Sequence, residues 1–316
     1  MKKIKINYVA AFAVVLILAA TTTFGWKNNK NVEVKGDSKI EDKIKSYTLF
    51  FSEDIGPRNF NNYDNLTRAE KYLINKFNDL GYEIKVQDFE VDGKLLANVV
   101  AYKDEDKNKE KIIVGAHYDS SDSSSADGCS TPIASLLTLA ELYNENEGKS
   151  GVEFVAFANH EIPLKRSKEL GSNHFVEKLK EEGKNIKGAI VLDSLGYYYE
   201  NILSQRYPFK GPVMPDRGNF IALNGTKNSK EFFEEFTSKF EKDSEVPSLK
   251  SQTLTLGRKS SGVESFWENG YDAVLVSDTG VLRNIDIYSK DDNINEINFK
   301  YMSEVIKNIS EFLSNS

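Results

Sequence analysis

The sequence predicts an α/β protein, a single domain with an open, mostly parallel mixed sheet flanked by helices. Four apolar runs rich in branched residues are the first indication, because continuous runs are typical of strands buried on both faces. Amphipathic segments between these runs are the second, since alternating strands and helices build a helix-covered sheet. The length of 316 residues, 40% of them hydrophobic, suffices for such a core. The four runs are 112–114, 152–157, 189–192 and 273–276.

Other predicted elements follow in order from about Ile44. The spacing of apolar residues predicts a helix over 66–80, and Gly81 stands where a C-cap belongs. Two strands, 82–89 and 95–102, come next, and a charged turn at 104–111 joins them to the first apolar run. Further helices are predicted at 133–143, 175–182, 230–240 and 299–313.

The N-terminus carries an export signal. Three lysines precede an apolar run at 8–24, a pattern typical of such signals. The run is about as short as a membrane-spanning helix can be. We therefore predict a signal anchor or cleaved signal peptide at 1–25, a polar solvated linker at 26–44, and the folded domain at 45–316. Because positive residues stay inside, the domain is expected on the extracytoplasmic face of the cell membrane, or secreted after cleavage.

Charge and cysteine content exclude several classes of site. The net charge is −7 and the basic residues are scattered, so we expect no nucleic-acid partner. One cysteine, Cys129, rules out an intrachain disulfide and a cysteine-based zinc site, and we predict it to be a small packed residue. Only three histidines are present, and His174 is predicted to be structural. Any metal site must therefore use carboxylates.

Each apolar run leads into acidic or histidine side chains. His117 follows the first run, Glu161 the second, Asp193 the third and Asp278 the fourth. Ligand sites of open α/β sheets lie beyond the carboxyl ends of the strands, so these groups are expected to meet. Carboxylates so close together repel unless a cation lies between them. A histidine with acids suits zinc, and Asp119 is placed to orient the imidazole. A single acid after a strand is commonly a helix N-cap, but the set of four favours a site.

Several short motifs occur along the chain. They are Ile-Val-Gly-Ala-His-Tyr-Asp-Ser at 113–120, Ser-Ala-Asp at 125–127, Phe-Ala-Asn-His-Glu at 157–161, Asp-Ser-Leu-Gly-Tyr at 193–197, Ser-Phe-Trp at 265–267 and Ser-Asp-Thr at 277–279. In this order they resemble motifs of the M28 zinc aminopeptidases. This resemblance implies a zinc-exopeptidase architecture of the phosphorylase/hydrolase-like kind, with peptides as substrates and zinc-bound water as the nucleophile.

The resemblance also assigns metal ligands. It implies one zinc site made of His117, Asp127 and Asp193. A second site would share Asp127, add Glu161 and require a histidine where this chain has Tyr288. A neutral phenol is a weak zinc ligand. We therefore expect one zinc ion rather than two, with a metal-free centre as the further alternative.

The catalytic base expected from the resemblance is a glutamate, and this chain has His160 at that position. His160 could act as a surrogate base or supply an imidazole ligand, or base function could be lost. Two hypotheses follow. One is an aminopeptidase-type metallopeptidase with weakened or lost activity. The alternative is a non-catalytic protein that binds a peptide or partner and holds at most one zinc. A glutaminyl cyclase ranks lower, because the site it needs is the one altered at Tyr288.

Overall fold

The computed structural model describes residues 24–27, 33–103, 109–123, 125–146, 150–161, 167–211, 214–229, 231–258 and 261–316. The predicted signal segment, apart from its last residues, lies outside these ranges, as does most of the charged turn at 104–111. Within the described ranges, no helix combines the length and the apolar character that crossing a membrane requires.

The described residues form one sheet with helices on both faces. The strands are β1 Phe24–Lys27, β2 Glu83–Val91, β3 Lys94–Tyr102, β4 Lys111–His117, β5 Gly151–Phe157, β6 Ile186–Asp193, β7 Ile221–Asn224, β8 Ser248–Ser251 and β9 Ala273–Ser277. The helices are α1 Ser38–Leu49, α2 Tyr63–Asp79, α3 Thr131–Glu145, α4 Gly171–Glu181, α5 Glu231–Asp243, α6 Val263–Glu268 and α7 Phe299–Ser314.

The sheet order is β1-β8-β7-β9-β6-β4-β5-β3-β2. Its centre, β9-β6-β4-β5, is parallel throughout, and it is built from the four apolar runs of the sequence. The pairs β3–β5, β2–β3, β7–β9 and β1–β8 are antiparallel, whereas β7–β8 is parallel. The predicted mixed sheet flanked by helices is therefore confirmed, although the described strands form equal numbers of parallel and antiparallel pairs rather than mostly parallel ones, and the four central strands end at one edge.

Two apolar layers cover the sheet. On one face, buried residues of α1, α3, α5 and α7 join the largest core cluster, and Leu136, Phe236 and Ile306 are typical members. On the other face, Phe175 of α4 and Phe266 of α6 pack on the remaining side chains of the central strands. Because both faces are covered, the chemistry is left to the edge where the parallel strands end.

Helix α1 begins inside the stretch 26–44, for which we predicted a linker. The Asp37 side chain caps it by accepting hydrogen bonds from the amides of residues 39 and 40. Ile40, Ile44 and Tyr47 are buried, and their spacing places them on one face of the helix. This apolar stripe docks on α3, so residues 38–44 belong to the packed domain rather than to a solvated segment. Strand β1, nearer the N-terminus, pairs with β8.

Candidate metal centre

The carboxyl ends of three central strands bring the predicted side chains together. His117 is the last residue of β4, Asp193 is the last residue of β6, and Glu161 follows β5 by four positions. Nε2 of His117 lies 3.9 Å from Oε1 of Glu161 and 3.9 Å from Oδ1 of Asp193. The expected convergence of His117, Glu161 and Asp193 is therefore present.

Strained backbone surrounds this edge. Among the described residues, six non-glycine positions have positive φ, and four of them lie where strands or the turn before α3 open toward the site. Asn159 follows β5, Ser194 follows β6 and Thr279 follows β9, while Ser125 precedes a π-helical turn at Ala126–Ser130. Strain of this kind costs free energy and concentrates at functional sites.

His117 is fully buried and held in one tautomer. Its Nδ1 lies 3.1 Å from the backbone oxygen of Asp119, and its Nε2 lies 2.8 Å from Nη2 of Arg258. A carbonyl can only accept and a guanidinium can only donate, so Nδ1 carries the proton and Nε2 accepts. Burial, followed by the charge of Arg258, lowers the pKa of His117 to about 3. The imidazole is therefore neutral at physiological pH.

The guanidinium of Arg258 occupies the middle of the centre. Nη1 forms an ion pair with Oε1 of Glu161, and Nη2 lies 3.6 Å from Oδ1 of Asp193. The backbone amide of Arg258 also donates to Oδ2 of Asp193 at 3.3 Å. Burial opposes the charge of Arg258, but Glu161 and then Tyr288 and Asp193 outweigh it and raise the pKa of the guanidinium. Arg258 is therefore a permanent cation among the groups predicted to hold zinc.

Several buried polar atoms at this edge have no hydrogen-bond partner among the described residues. Two of them are Oδ1 of Asp193, an acceptor, and Nε of Arg258, a donor, and the others include Oδ1 of Asp119 and Oδ2 of Asp127. Burial, and to a smaller extent Glu161, raises the pKa of Asp193 to about 6, against the opposing effect of Arg258. A buried polar atom without a hydrogen bond destabilises the fold, so these atoms mark where the donors and acceptors of a ligand would be accommodated.

Asp119 orients its neighbours, although not through the contact we expected. Its carbonyl, rather than its carboxylate, is nearest to His117, because Oδ1 lies 3.6 Å from Nδ1. Its Oδ2 accepts from the amides of His160 at 2.8 Å and Glu161 at 2.7 Å. The carboxylate thereby fixes the loop that carries Glu161 into the centre.

His160 is buried, and its ring centroid lies 6.0 Å from that of His117. Its Nε2 accepts a hydrogen bond from the amide of Ser172, the second residue of α4, at 3.3 Å. A general base must have a lone pair within reach of the proton that it removes. While the Ser172 bond is formed, Nε2 cannot serve as that base.

Asp127 is directed to other partners. Its Oδ1 accepts from the amides of Leu195 at 3.1 Å and Gly196 at 2.6 Å and from Oγ1 of Thr131 at 3.0 Å. Burial, together with the carboxylates of Asp278 and Asp292, raises its pKa well above the usual range. The described residues contain no group of three or more His, Cys, Asp or Glu side chains placed to hold a metal ion. The other carboxylate oxygen of Asp127, Oδ2, is buried without a hydrogen-bond partner among the described residues, so the assignment of His117, Asp127 and Asp193 to one zinc site stays a prediction.

Tyr288 and Cys129 complete the surroundings of Arg258. The Cζ atom of Arg258 lies 5.4 Å from the centroid of the Tyr288 ring, within the range of a cation–π contact. Cys129 is buried, as predicted, and burial raises the pKa of its thiol. His174, also as predicted, packs away from the centre, stacked on Phe89 at 4.3 Å.

Three residues of the site escaped sequence reasoning. Arg258 lies in a loop after β8, and Asp292 lies in an irregular stretch before α7, so neither belongs to a periodic pattern. Buried Arg58 donates to the carbonyls of Tyr118 and Cys129, which ties the loops around the centre together.

The donor chemistry suits zinc, but the space does not. One imidazole and two carboxylates are a common zinc donor set. However, Nη2 of Arg258 lies 2.8 Å from Nε2 of His117, on the lone pair that a metal would use. A zinc ion bound there at about 2 Å would lie roughly 1 Å from Nη2, an impossible overlap. The residues as placed therefore do not fit a metal ion.

Comparison with known proteins identifies the family. The sequence model of peptidase family M28 matches residues 98–313, more than half of the chain. The chain belongs to peptidase family M28. An Escherichia coli K12 relative, the uncharacterized protein YfbL, is 30% identical to this M28 protein over 291 residues, which cover 87% of this chain and 88% of YfbL. The predicted family is confirmed.

Solved structures share the fold of this M28 protein. The Legionella pneumophila LapA aminopeptidase superposes with a TM-score of 0.69 at 17% identity, over 91% of this chain and 76% of LapA. A Bacteroides thetaiotaomicron glutaminyl cyclase superposes with a TM-score of 0.68 at 17% identity, over 90% of this chain and 100% of the cyclase chain. A Zn-dependent exopeptidase from Parabacteroides distasonis superposes with a TM-score of 0.67 at 14% identity, over 87% of this chain and 98% of the exopeptidase chain. At these identities the likeness establishes the fold alone.

Proposed function

We propose that this M28 protein acts outside the cytoplasm, anchored in the cell membrane or secreted, and binds peptides without hydrolysing them. The observation that carries the proposal is the guanidinium of Arg258 among His117, Glu161 and Asp193. Hydrolysis in zinc peptidases needs a metal that polarises the carbonyl and lowers the pKa of its bound water. The proposal is supported by the guanidinium, which fills the space that such a metal would need, and by the hydrogen bond from Ser172 that engages Nε2 of His160.

Peptide binding is supported by two of the unpaired atoms. Oδ1 of Asp193 can accept from an N-terminal ammonium or an amide, and Nε of Arg258 can donate to a peptide carbonyl. The extracytoplasmic location follows from the charged and apolar pattern at 1–25.

The test uses the full-length chain and a panel of aminoacyl amides and short peptides. We expect no hydrolysis with added zinc, cobalt or manganese, but saturable binding of peptides that have a free N-terminus. N-acetylated copies of the same peptides are the matched control and are expected to bind more weakly. Turnover that disappears with a chelator and with His160→Ala would instead establish a metallopeptidase. Absence of any peptide binding would leave no support for the binding function.

A restoring pair of substitutions provides a second test. His160→Glu with Tyr288→His replaces the two residues that depart from the family resemblance. This pair is expected to raise activity only when Arg258→Met accompanies it, because the guanidinium otherwise keeps its position. A gain from the pair alone would mean that Arg258 moves aside readily, and the proposed exclusion of a metal ion by its guanidinium would be wrong.

A further inference from the structure

We infer that Arg258 is the resident cation of this centre, so that its guanidinium takes the place of a metal ion and the chain folds without zinc. The inference concerns the same site as the proposed function and rests on it, but it makes a separate claim about metal binding. It is carried by the contacts of the guanidinium, the packing of Tyr288 and the way the backbone holds Arg258 in position.

The contacts of Arg258 are those that a metal ion would make. One side chain reaches the imidazole of His117, the carboxylate of Glu161 and the carboxylate of Asp193. Its side chain is 19% exposed, whereas that of Glu161 is 9% and that of Asp193 is 1%. Buried acids require a nearby positive charge, and the two terminal nitrogens of a guanidinium can serve several acceptors at once.

Tyr288 is suited to an arginine rather than to a metal. The ring face of Tyr288 is packed near the guanidinium, where the negative face of an aromatic ring attracts a cation. The ring also approaches the turn that contains Asp127, because a Cβ at Gly128 would lie 2.9 Å from Cε1 of Tyr288. A phenol that would be a weak zinc ligand is therefore a good wall for Arg258.

The backbone fixes the arginine at the centre. The side chain of Asn224 accepts a hydrogen bond from the amide of Leu256 at 2.8 Å and donates one to the carbonyl of Leu256 at 2.9 Å. The next residue, Gly257, has φ +127°, and a Cβ there would meet Oγ of Ser277 at 2.9 Å. Since a side chain at 257 would be strained and crowded, the turn requires glycine. The amide of Arg258 then bonds Asp193, so the side chain starts from a defined point.

Metal binding measured on chelator-treated full-length protein tests the inference. The variants are Arg258→Met and, as a matched control, Arg217→Met, which removes an exposed arginine 3.9 Å from Glu200. Zinc binding is followed by equilibrium dialysis and calorimetry, and folding by circular dichroism. We expect no stoichiometric zinc in the wild type or in Arg217→Met, and one zinc per chain in Arg258→Met. The gain in affinity should be roughly 100- to 1,000-fold, because zinc no longer has to break the buried ion pair.

The outcomes separate the two claims. Adding His117→Ala to Arg258→Met is expected to abolish the new zinc binding, which would place the ion at this centre. One zinc bound by the wild type as tightly as by Arg258→Met would overturn the inference while leaving the proposed lack of turnover intact. A folded Arg258→Met that binds no zinc would overturn it as well. Metal-free peptide hydrolysis by the wild type would refute the proposed function but not the role of Arg258. The wild-type measurement decides the matter even if Arg258→Met fails to fold, since tight zinc binding there refutes the inference.

Discussion

Replacing Arg258 with methionine should destabilise the domain. The change keeps much of the apolar stem but leaves Glu161 and Asp193 close together without their cation, and the lone pair of His117 loses its donor. Removing one partner of a buried ion pair costs about 3–5 kcal/mol. Because the side chain of Arg258 is 19% exposed, water compensates part of the loss, and we expect a value near the lower limit, about 3 kcal/mol.

The assay is thermal and urea unfolding of Arg258→Met at pH 7.5. A loss of about 3 kcal/mol corresponds to a fall in melting temperature of roughly 6–12 °C for a domain of this size. Added zinc should return part of it, about 2.7 kcal/mol when free zinc is 100 times its dissociation constant. Arg217→Met, which breaks an exposed ion pair, should lose less than about 1 kcal/mol.

The stability that Arg258→Met loses should depend on pH. The pKa of Asp193 in the wild type is raised to about 6, and Arg258 opposes that rise, so in Arg258→Met it should be higher still. The repulsion between Asp193 and Glu161 exists only while both are ionised. The difference in stability between wild type and variant should therefore be largest above the pKa of Asp193 and shrink as pH falls through it. A loss below about 1 kcal/mol at pH 7.5, or one that grows on acidification, would refute the role of Arg258 as the cation that stabilises these acids.

Three further predictions concern the frame of the site. Asn98→Leu should lower the free energy of unfolding, measured by chemical denaturation, by roughly 2–4 kcal/mol, because buried Asn98 forms hydrogen bonds with strand β2, the loop after β5 and the start of α4. A loss under about 1 kcal/mol would contradict this. Glu141→Gln should destabilise the wild type near pH 7 and make little difference near pH 3. Burial raises the pKa of Glu141, but Tyr47 and two lysines lower it by more, and the stability gained above the unfolded pKa is lost as the acid protonates. Equal losses at both pH values would count against that ion cluster. Gly188→Ala should lower the melting temperature, because the new Cβ would clash with the ring of Phe232. Combining it with Phe232→Leu should cost less stability than the sum of the two single changes. Strict additivity would mean that the side chains at positions 188 and 232 do not touch.

The central strands could be predicted from the sequence because burial on both faces leaves a direct record. Ile112, Val152, Ile190 and Val274 belong to continuous apolar runs, and each run became a strand of the parallel centre. The ends of those strands then located His117, Glu161 and Asp193 without any knowledge of contacts. A strand buried on both faces needs apolar residues at successive positions, and the carboxyl ends of parallel strands lie at the same edge of the sheet.

The short strands toward one side of the sheet and helix α1 were not predicted, for a different physical reason. Strand β8 has four residues, Ser248–Ser251, and most of its side chains are polar, so neither alternation nor an apolar run marks it. Helix α1 lies in a stretch dominated by charged residues, and only Ile40, Ile44 and Tyr47 carry its apolar stripe. In both cases the tertiary partner, rather than local sequence, determines the structure.

The centre itself could be predicted only in part, because its cation comes from a distant loop. Nothing between Asp193 and Arg258 indicates that the two residues meet, since 65 positions separate them and the contact depends on the whole sheet. The family resemblance also implied Asp127 as a shared ligand, a role that stays a prediction, and Oδ1 of Asp127 accepts from the amides of Leu195 and Gly196. Roles in a site assembled from separate loops cannot be inferred from the chemistry of one loop at a time.

Two departures from the family resemblance gain a common explanation once Arg258 is placed. Taken alone, Tyr288 is a lost ligand and His160 is an altered base, and each suggests gradual decay. Together with Arg258 they are complementary, because Tyr288 provides an aromatic wall for the guanidinium and His160 bonds the start of α4 instead of a metal-bound water. Decay would leave Glu161 and Asp193 buried without a partner, at a cost of several kcal/mol. The structure instead gives both acids the same cation, which supports the proposed use of this centre in binding rather than in metal-dependent hydrolysis.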